Sequence, residues 1–405
     1  MKTFFKKLGP GLLFAGAAIG VSHLVQSTRA GADYGYGLIW ALLLVHLFKY
    51  PFFQYGPRYA MATGESLLDG YKKLGKGVLY AYFILNFTTM FTIQTAVTIV
   101  TAGLASNLFG ITPNPIVWSI IITFLCMIIL IIGKYKLLDN LMKVIITALT
   151  ICTLIAIVIA ATEIKETLSF NQIVPNGATG LTFLIAFMGW MPAPLDISVW
   201  HSLWALEKKK VQKSYKTKRS ITDFNIGYIG TVILGIFFIS LGALIMHSSN
   251  ESFNNGATQF AFQFINMYTN TLGPYAHYII AIAAFTAMFS TTLTTLDASP
   301  RAMAKSTTLL FNNIQGKYNL VIWILILVTG TIAILLFLMS EMKTLIDVAT
   351  ILSFITAPFY AIINYKLVSS KHMPEKWKPS LKMHILSWAG ILFLMGFSVW
   401  YLTTI

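Results

Sequence analysis

Two apolar runs of the chain are interrupted by residues that could bind a solute or an ion. The first interruption lies within Gly16–His23, where glycines precede Ser22 and His23. The second contains Pro192 and Pro194, each of which removes a backbone donor and breaks a helix. A broken helix offers free N–H groups to anions and free carbonyl groups to cations. The two interruptions together are therefore the predicted binding site.

Four charged side chains also fall inside apolar runs: Arg29, Lys49, Asp196 and Asp297. Ionisable groups at membrane depth are costly and mark functional positions by default. Arg29, Lys49 and Asp297 are candidates for coupling to an ion, and Lys49 is predicted either to pair with an acid or to act as a fixed or titrating cation. Asp196 follows Pro192 by four residues, so it is the carboxylate that could serve the second interruption.

The elements that position these residues are membrane-spanning helices. Of the 405 residues, 56% are hydrophobic and only 11% are charged, whereas about 25% are charged in a soluble domain. Runs of about 20 apolar residues predict an all-α membrane protein with eleven transmembrane helices and a polar loop at 248–272. The predicted helices cover residues 9–31, 36–61, 77–106, 115–133, 141–162, 178–203, 225–248, 272–298, 319–339, 342–366 and 382–403.

The basic residues predict how these helices are oriented. With the N-terminus in the cytoplasm, 25 of the 29 Lys and Arg residues lie on the cytoplasmic side and three on the other, while Lys49 lies within a helix. Lys and Arg are in excess in cytoplasmic loops. The net charge of +15 therefore reflects topology and not nucleic-acid binding. We expect an integral protein of a prokaryotic plasma membrane whose C-terminus lies outside.

The interruptions fall in the first and the sixth predicted spans. These are equivalent positions if five spans are repeated in inverted order, and paired broken helices of this kind indicate a transporter binding site. The predicted organisation is one transmembrane domain over 1–405, with one repeat at about 9–162, a second at about 178–366, and an extra span at about 382–403.

Six short segments share their residues and their order with one family of transporters: Gly9–Gly11, Ala30–Tyr36, Leu38–Leu44, Thr63–Gly64, Met191–Pro192 and Ser290–Thr294. They resemble the NRAMP (natural resistance-associated macrophage protein) family of proton-coupled divalent-metal transporters. The resemblance implies the LeuT-type inverted-repeat fold, with a central site between the broken spans one and six.

The chain departs from that family at the site itself. Gly20 stands where the family has its metal-binding carboxylate, and His23 stands at the position of an asparagine ligand. The thioether of Met191 and the position of the carbonyl of Met188 are kept, and the third span lacks the acids that the family uses for proton transfer. The resemblance thus implies a substrate site at Gly20, His23, Met188 and Met191, to which we add Asp196.

Several functions stay open. The main hypothesis is a secondary transporter whose substrate is not the proton-coupled Mn²⁺ or Fe²⁺ of the family. The alternatives are a metal transporter that uses His23, Met191 and Asp196, a carrier of amino acids or other organic solutes, and a non-transporting membrane protein. His23 and Met191 suit a softer metal ion. No phosphate-binding loop or set of nucleophiles indicates an enzyme or a pump, no cofactor is expected, and the partners are the lipid bilayer and a small solute or ion.

Overall fold

The computed structural model describes residues 10–132, 147, 150–162, 169–247, 252–311, 317–338 and 341–404. The α-helices in chain order are α1 Pro10–Ala18, α2 Thr28–Tyr34, α3 Ile39–Thr63, α4 Leu67–Leu74, α5 Lys76–Phe109, α6 Pro115–Ile132, α7 Thr150–Thr162, α8 Gly177–Trp190, α9 Ile197–Val211, α10 Thr217–Ile245, α11 Ala257–Leu272, α12 Ala276–Leu310, α13 Lys317–Ala333, α14 Met342–Ser369 and α15 Leu381–Thr404. A π-helical segment, Ser22–Ser27, precedes α2, and another, Ile334–Leu338, follows α13.

Seven of these helices are long and apolar enough to cross a membrane, namely α5, α6, α10, α12, α13 with its π-helical extension, α14 and α15. Their surfaces expose large apolar side chains such as Ile84, Ile121, Ile229 and Leu392. Such surfaces suit lipid, because the backbone polar groups of a helix are satisfied within the helix. The prediction of an all-helical membrane protein is confirmed.

Both predicted interruptions are present. The first predicted span is divided into α1 and the π-helical segment that leads into α2, and the sixth is divided into α8 and α9. Pro192 and Pro194 have no N–H group, so the last carbonyl groups of α8 lack their usual donors four residues ahead. The broken helices thus follow directly from local backbone chemistry.

The prediction of a polar loop at 248–272 is wrong in part. Residues Ala257–Leu272 form α11, which packs against α5 and α12. Phe260, Phe264 and Tyr268 recur every four residues and are buried together. This spacing places one apolar face towards the bundle, although the asparagines and glutamines between these residues give the segment its polar composition.

Some predictions concern residues that the structure does not describe. The start of the predicted fifth span, at 141–146, and the basic segments at 2–7 and 134–143 lie outside the described residues. Helix α12 is longer than the predicted 272–298, since it continues through Pro300 to Leu310.

Among the helix pairs that approach each other through glycine, two involve the second half of a broken helix. A Cβ atom on Gly242 of α10 would lie 2.2 Å from the carbonyl oxygen of Thr28 in α2, and one on Gly56 of α3 would lie 2.2 Å from that of Ser198 in α9. Close backbone packing through small residues is typical of helices in membranes. Each contact fixes the second half of a broken helix, α2 or α9, against the helix that packs on it.

Candidate functional site

A small central cavity lies where the two interruptions meet α5 and α12. Among the described residues, no charged side chain lines it, and its wall is mainly apolar with three hydroxyl groups. A largely apolar wall with a few placed polar groups is typical of sites for small organic molecules. The lining residues are Ala17, Ala18, Val21, Ser22, Ile93, Val97, Trp190, Ala193, Pro194, Ile197, Trp200, Thr291 and Thr295.

Gly20 and His23 lie at the first interruption, but neither lines this cavity. A Cβ atom on Gly20 would lie 2.8 Å from the Cγ2 atom of Thr291. A larger residue at position 20 would therefore have to displace the side chain of Thr291 or move α12. His23 is fully buried, and its Nε2 atom is 3.0 Å from the carbonyl oxygen of Thr231. Its Nδ1 atom is 3.0 Å from the carbonyl oxygen of Ala18. Both ring nitrogens therefore face carbonyl groups of the protein.

The second interruption is occupied by the side chain of Lys49. Its Nζ atom donates to the carbonyl oxygens of Met188 at 2.8 Å and Gly189 at 2.7 Å, and it is 3.5 Å from that of Ala193. The side chain is 0% exposed. The carbonyl end of a helix carries partial negative charge, so the ammonium group takes the place that a bound cation would otherwise fill. The carbonyl of Met188, predicted to face the substrate, accepts a hydrogen bond from the protein itself.

Met191 and Asp196 lie within this break, and neither shares a cavity wall with His23. The sulfur of Met191 is 3.8 Å from the hydroxyl of Ser27. Asp196 lines a separate, smaller cavity, and its Oδ1 atom has no hydrogen-bond partner among the residues that the structure describes. Within the described ranges, no group of three or more His, Cys, Asp and Glu residues could hold a metal ion.

The remaining charged candidates lie away from the central cavity. Arg29 donates from Nη2 to the carbonyl oxygen of Asn254 at 2.8 Å and packs over the ring of Phe260, so it ties α2 to the segment around α11. The Nε atom of Arg301 is 2.7 Å from Oδ2 of Asp297, the ion pair that the spacing of four residues allows. Roles for Arg29, Lys49 and Asp297 in coupling stay predictions.

Sequence reasoning missed two features of the cavity walls. The first is the indole N–H of Trp200, which is buried and has no acceptor among the described residues. The second is the group of hydroxyls from α5 and α14 that surrounds Asp196. Tryptophan and threonine are common in membrane helices, so their composition gave no signal. The prolines at 192 and 194 could have identified the partner of Lys49, because they leave carbonyl groups that need a donor.

Two solved structures share this fold with the chain. The Eremococcus coleocola manganese transporter aligns with a TM-score of 0.74 at 15% identity, over 98% of this chain and 86% of that one. MhsT, solved in complex with L-phenylalanine, aligns with a TM-score of 0.70 at 12% identity, over 97% and 98% of the two chains. The LeuT-type fold implied by the sequence is confirmed.

Sequence comparison gives the family. The uncharacterised protein PM0681 of Pasteurella multocida is 35% identical over 404 residues, which cover 98% of this chain and 92% of that protein. The family model described as natural resistance-associated macrophage protein-like matches residues 11–404. The match extends over both interruptions and over every helix that lines the central cavity. The chain belongs to the natural resistance-associated macrophage protein (Nramp) family.

Proposed function

We propose that this protein is a secondary transporter that carries a small organic solute through its central cavity and not a bare divalent metal ion. The observation that carries the proposal is the ammonium of Lys49, which donates to the carbonyls of Met188 and Gly189 at the second interruption. A dication placed beside this fixed positive charge would be repelled. The described residues of the cavity wall offer no carboxylate to a metal ion, and hard divalent ions favour carboxylate oxygens.

The cavity wall suggests the chemistry of the solute. Trp200 lines the cavity, and its indole N–H has no acceptor among the described residues. The backbone N–H of Ala193, also in the wall, has no acceptor in the same part of the chain. Because buried donors are normally satisfied, a solute with a carboxylate or carbonyl group and an apolar body fits this wall. MhsT, which shares the fold, was solved with an amino acid of this kind.

The topology belongs to the same proposal. The apolar runs are the basis for eleven spans, and the loop charges are the basis for a cytoplasmic N-terminus and an external C-terminus. The paired glycine contacts support an inverted repeat, since Gly242 with Thr28 joins α10 to α2 in the way that Gly56 with Ser198 joins α3 to α9. In the proposed inverted repeat, these two contacts are equivalent.

Metal binding separates the proposal from its main competitor. A divalent metal is the second candidate because the Eremococcus coleocola protein of the same fold is a manganese transporter. We expect titration calorimetry of the purified protein with Mn²⁺, Cd²⁺, Zn²⁺ and Mg²⁺ to show no saturable heat. If any of these ions binds saturably and its binding weakens in both His23→Ala and Met191→Ala, the substrate is a metal ion and the organic-solute proposal is wrong.

Trp200 provides the positive test. A thermal-shift screen of amino and carboxylic acids should find stabilising solutes, and Trp200→Phe should weaken their binding about tenfold because one buried hydrogen bond is lost. Trp204→Phe is the matched control, since Trp204 is a neighbouring tryptophan of α9 that does not line the cavity. Equal affinities in the two variants would remove Trp200 from the site.

A further inference from the structure

A second, smaller cavity lies beside the central one. It is enclosed by the connection between α8 and α9 together with α5 and α14, and it is too narrow to hold a water molecule. Its wall contains the carboxylate of Asp196 and the hydroxyls of Thr89, Ser353, Thr356 and Tyr360. Buried oxygen atoms usually bind water or a protein donor. Because this cavity has no room for water, its oxygen atoms need another partner.

The oxygen atoms are arranged as acceptors. The hydroxyl of Thr89 donates to the carbonyl of Leu85 at 2.9 Å, and that of Thr356 donates to the carbonyl of Leu352 at 2.8 Å. A hydroxyl has one proton and two lone pairs. Each threonine hydroxyl therefore donates its hydrogen bond within its own helix, and its lone pairs can accept from or coordinate a ligand.

Two further oxygens in the wall have no hydrogen-bond partner in the described part of the chain. They are Oδ1 of Asp196 and the hydroxyl of Tyr360, in residues that are only 3% and 2% exposed. A buried carboxylate oxygen without a partner is costly. The ammonium of Lys49 donates its hydrogen bonds to carbonyls and not to this carboxylate.

Size and charge together select the ligand. Mg²⁺ usually keeps several of its waters, and this cavity has no room for them. One carboxylate with an ammonium group nearby also gives too little negative charge for a dication. We propose that Asp196, Tyr360, Thr89 and Thr356 form a binding site for a dehydrated monovalent cation such as Na⁺. The site is distinct from the central cavity and does not depend on which solute is carried.

A row of polar groups on α5 extends from this site towards the start of the helix. Tyr82 and Asn86 precede Thr89 at helical spacing, and the hydroxyl of Tyr82 and both amide atoms of Asn86 are buried without partners among the described residues. The ring of Tyr82 lies 6.1 Å from that of Tyr360, centroid to centroid. These buried groups extend the polar surface of the site along α5.

The test is the thermal stability of the full chain, purified in detergent, in NaCl and in choline chloride at equal ionic strength. A ligand that binds only the folded state raises its stability. We expect the unmodified protein to unfold at a higher temperature in NaCl than in choline chloride, and Asp196→Asn to unfold at the same temperature in both salts. The control Asp347→Asn should keep the full temperature difference, since its carboxylate pairs with Lys343 at the start of α14.

Tyr360→Phe and Thr356→Val keep the shape of the wall. They test the cation site if Asp196→Asn cannot be purified. Each should require roughly tenfold more Na⁺ for the same stabilisation, because one oxygen ligand is lost. Equal stability of the unmodified protein in the two salts would overturn the proposal, as would a Na⁺ effect that survives in Asp196→Asn or a larger effect of Mg²⁺. The comparison of NaCl with choline chloride does not depend on solute binding. It therefore tests the cation site even if the organic-solute proposal fails.

Discussion

Replacing Lys49 by methionine should lower the free energy of unfolding by about 3 kcal/mol, since two hydrogen bonds from a charged donor are lost. The methionine keeps most of the volume of the side chain, but the carbonyls of Met188 and Gly189 lose the ammonium that donates to them at 2.8 and 2.7 Å. Pro192 cannot replace this donor. Equilibrium unfolding of the purified protein in mixed detergent micelles measures the change.

The matched control is Lys305→Met. Lys305 pairs with Asp69 at 2.7 Å, but its side chain is 38% exposed, and exposed ion pairs contribute only about 0–1 kcal/mol. A double variant, Lys49→Met with Asp196→Asn, should recover part of the lost stability, because Asp196 then carries no charge that needs Lys49. Equal stability of Lys49→Met and the unmodified protein would show that the ammonium does not hold the second interruption together.

Replacing Gly242 by alanine should destabilise the protein by about 2–3 kcal/mol, the cost of overpacking a tight contact. The added Cβ atom would lie 2.2 Å from the carbonyl oxygen of Thr28 and 2.8 Å from the amide nitrogen of Ala32, so α2 and α10 would have to separate. Since α2 continues the segment that holds Ser22 in the cavity wall, solute binding should weaken as well. Equilibrium unfolding and the thermal-shift titration with a stabilising solute measure the two effects.

Gly230→Ala, in the same helix α10, is the control. A Cβ atom there would have no neighbour within 4 Å, and alanine in a helix gains about 0.5–1 kcal/mol over glycine. Gly56→Ala should resemble Gly242→Ala because its Cβ atom would lie 2.2 Å from the carbonyl oxygen of Ser198. If Gly242→Ala and Gly230→Ala were equally stable, the inference that α2 and α10 are in close contact at Gly242 would be wrong.

The features predictable from sequence were those set by local chemistry. The helix breaks follow from glycine and from Pro192 and Pro194, and the membrane class follows from the low charge content. The family resemblance was carried by short contiguous motifs. In each case the relevant residues are neighbours in the chain, so their effect can be judged without knowing the packing.

The contacts that define the site were not predictable in the same way. Lys49 and its acceptor Met188 are 139 residues apart, and no local pattern sets such a pairing. Asp196 was placed with His23 and Met191 by its distance along the chain from Pro192. The structure instead turns it towards hydroxyls of α5 and α14. Helix α11 was missed because its asparagines and glutamines outweigh, in composition, the aromatic residues of its buried face.

The position of Lys49 also bears on how the membrane potential acts on this protein. Moving one elementary charge through 100 mV costs or yields about 2.3 kcal/mol. In their ionised forms, Lys49 and Asp196 carry opposite charges at the same helix break. A rocking motion that carries both therefore moves no net charge through the electric field. This pair would then add nothing to a current that accompanies transport.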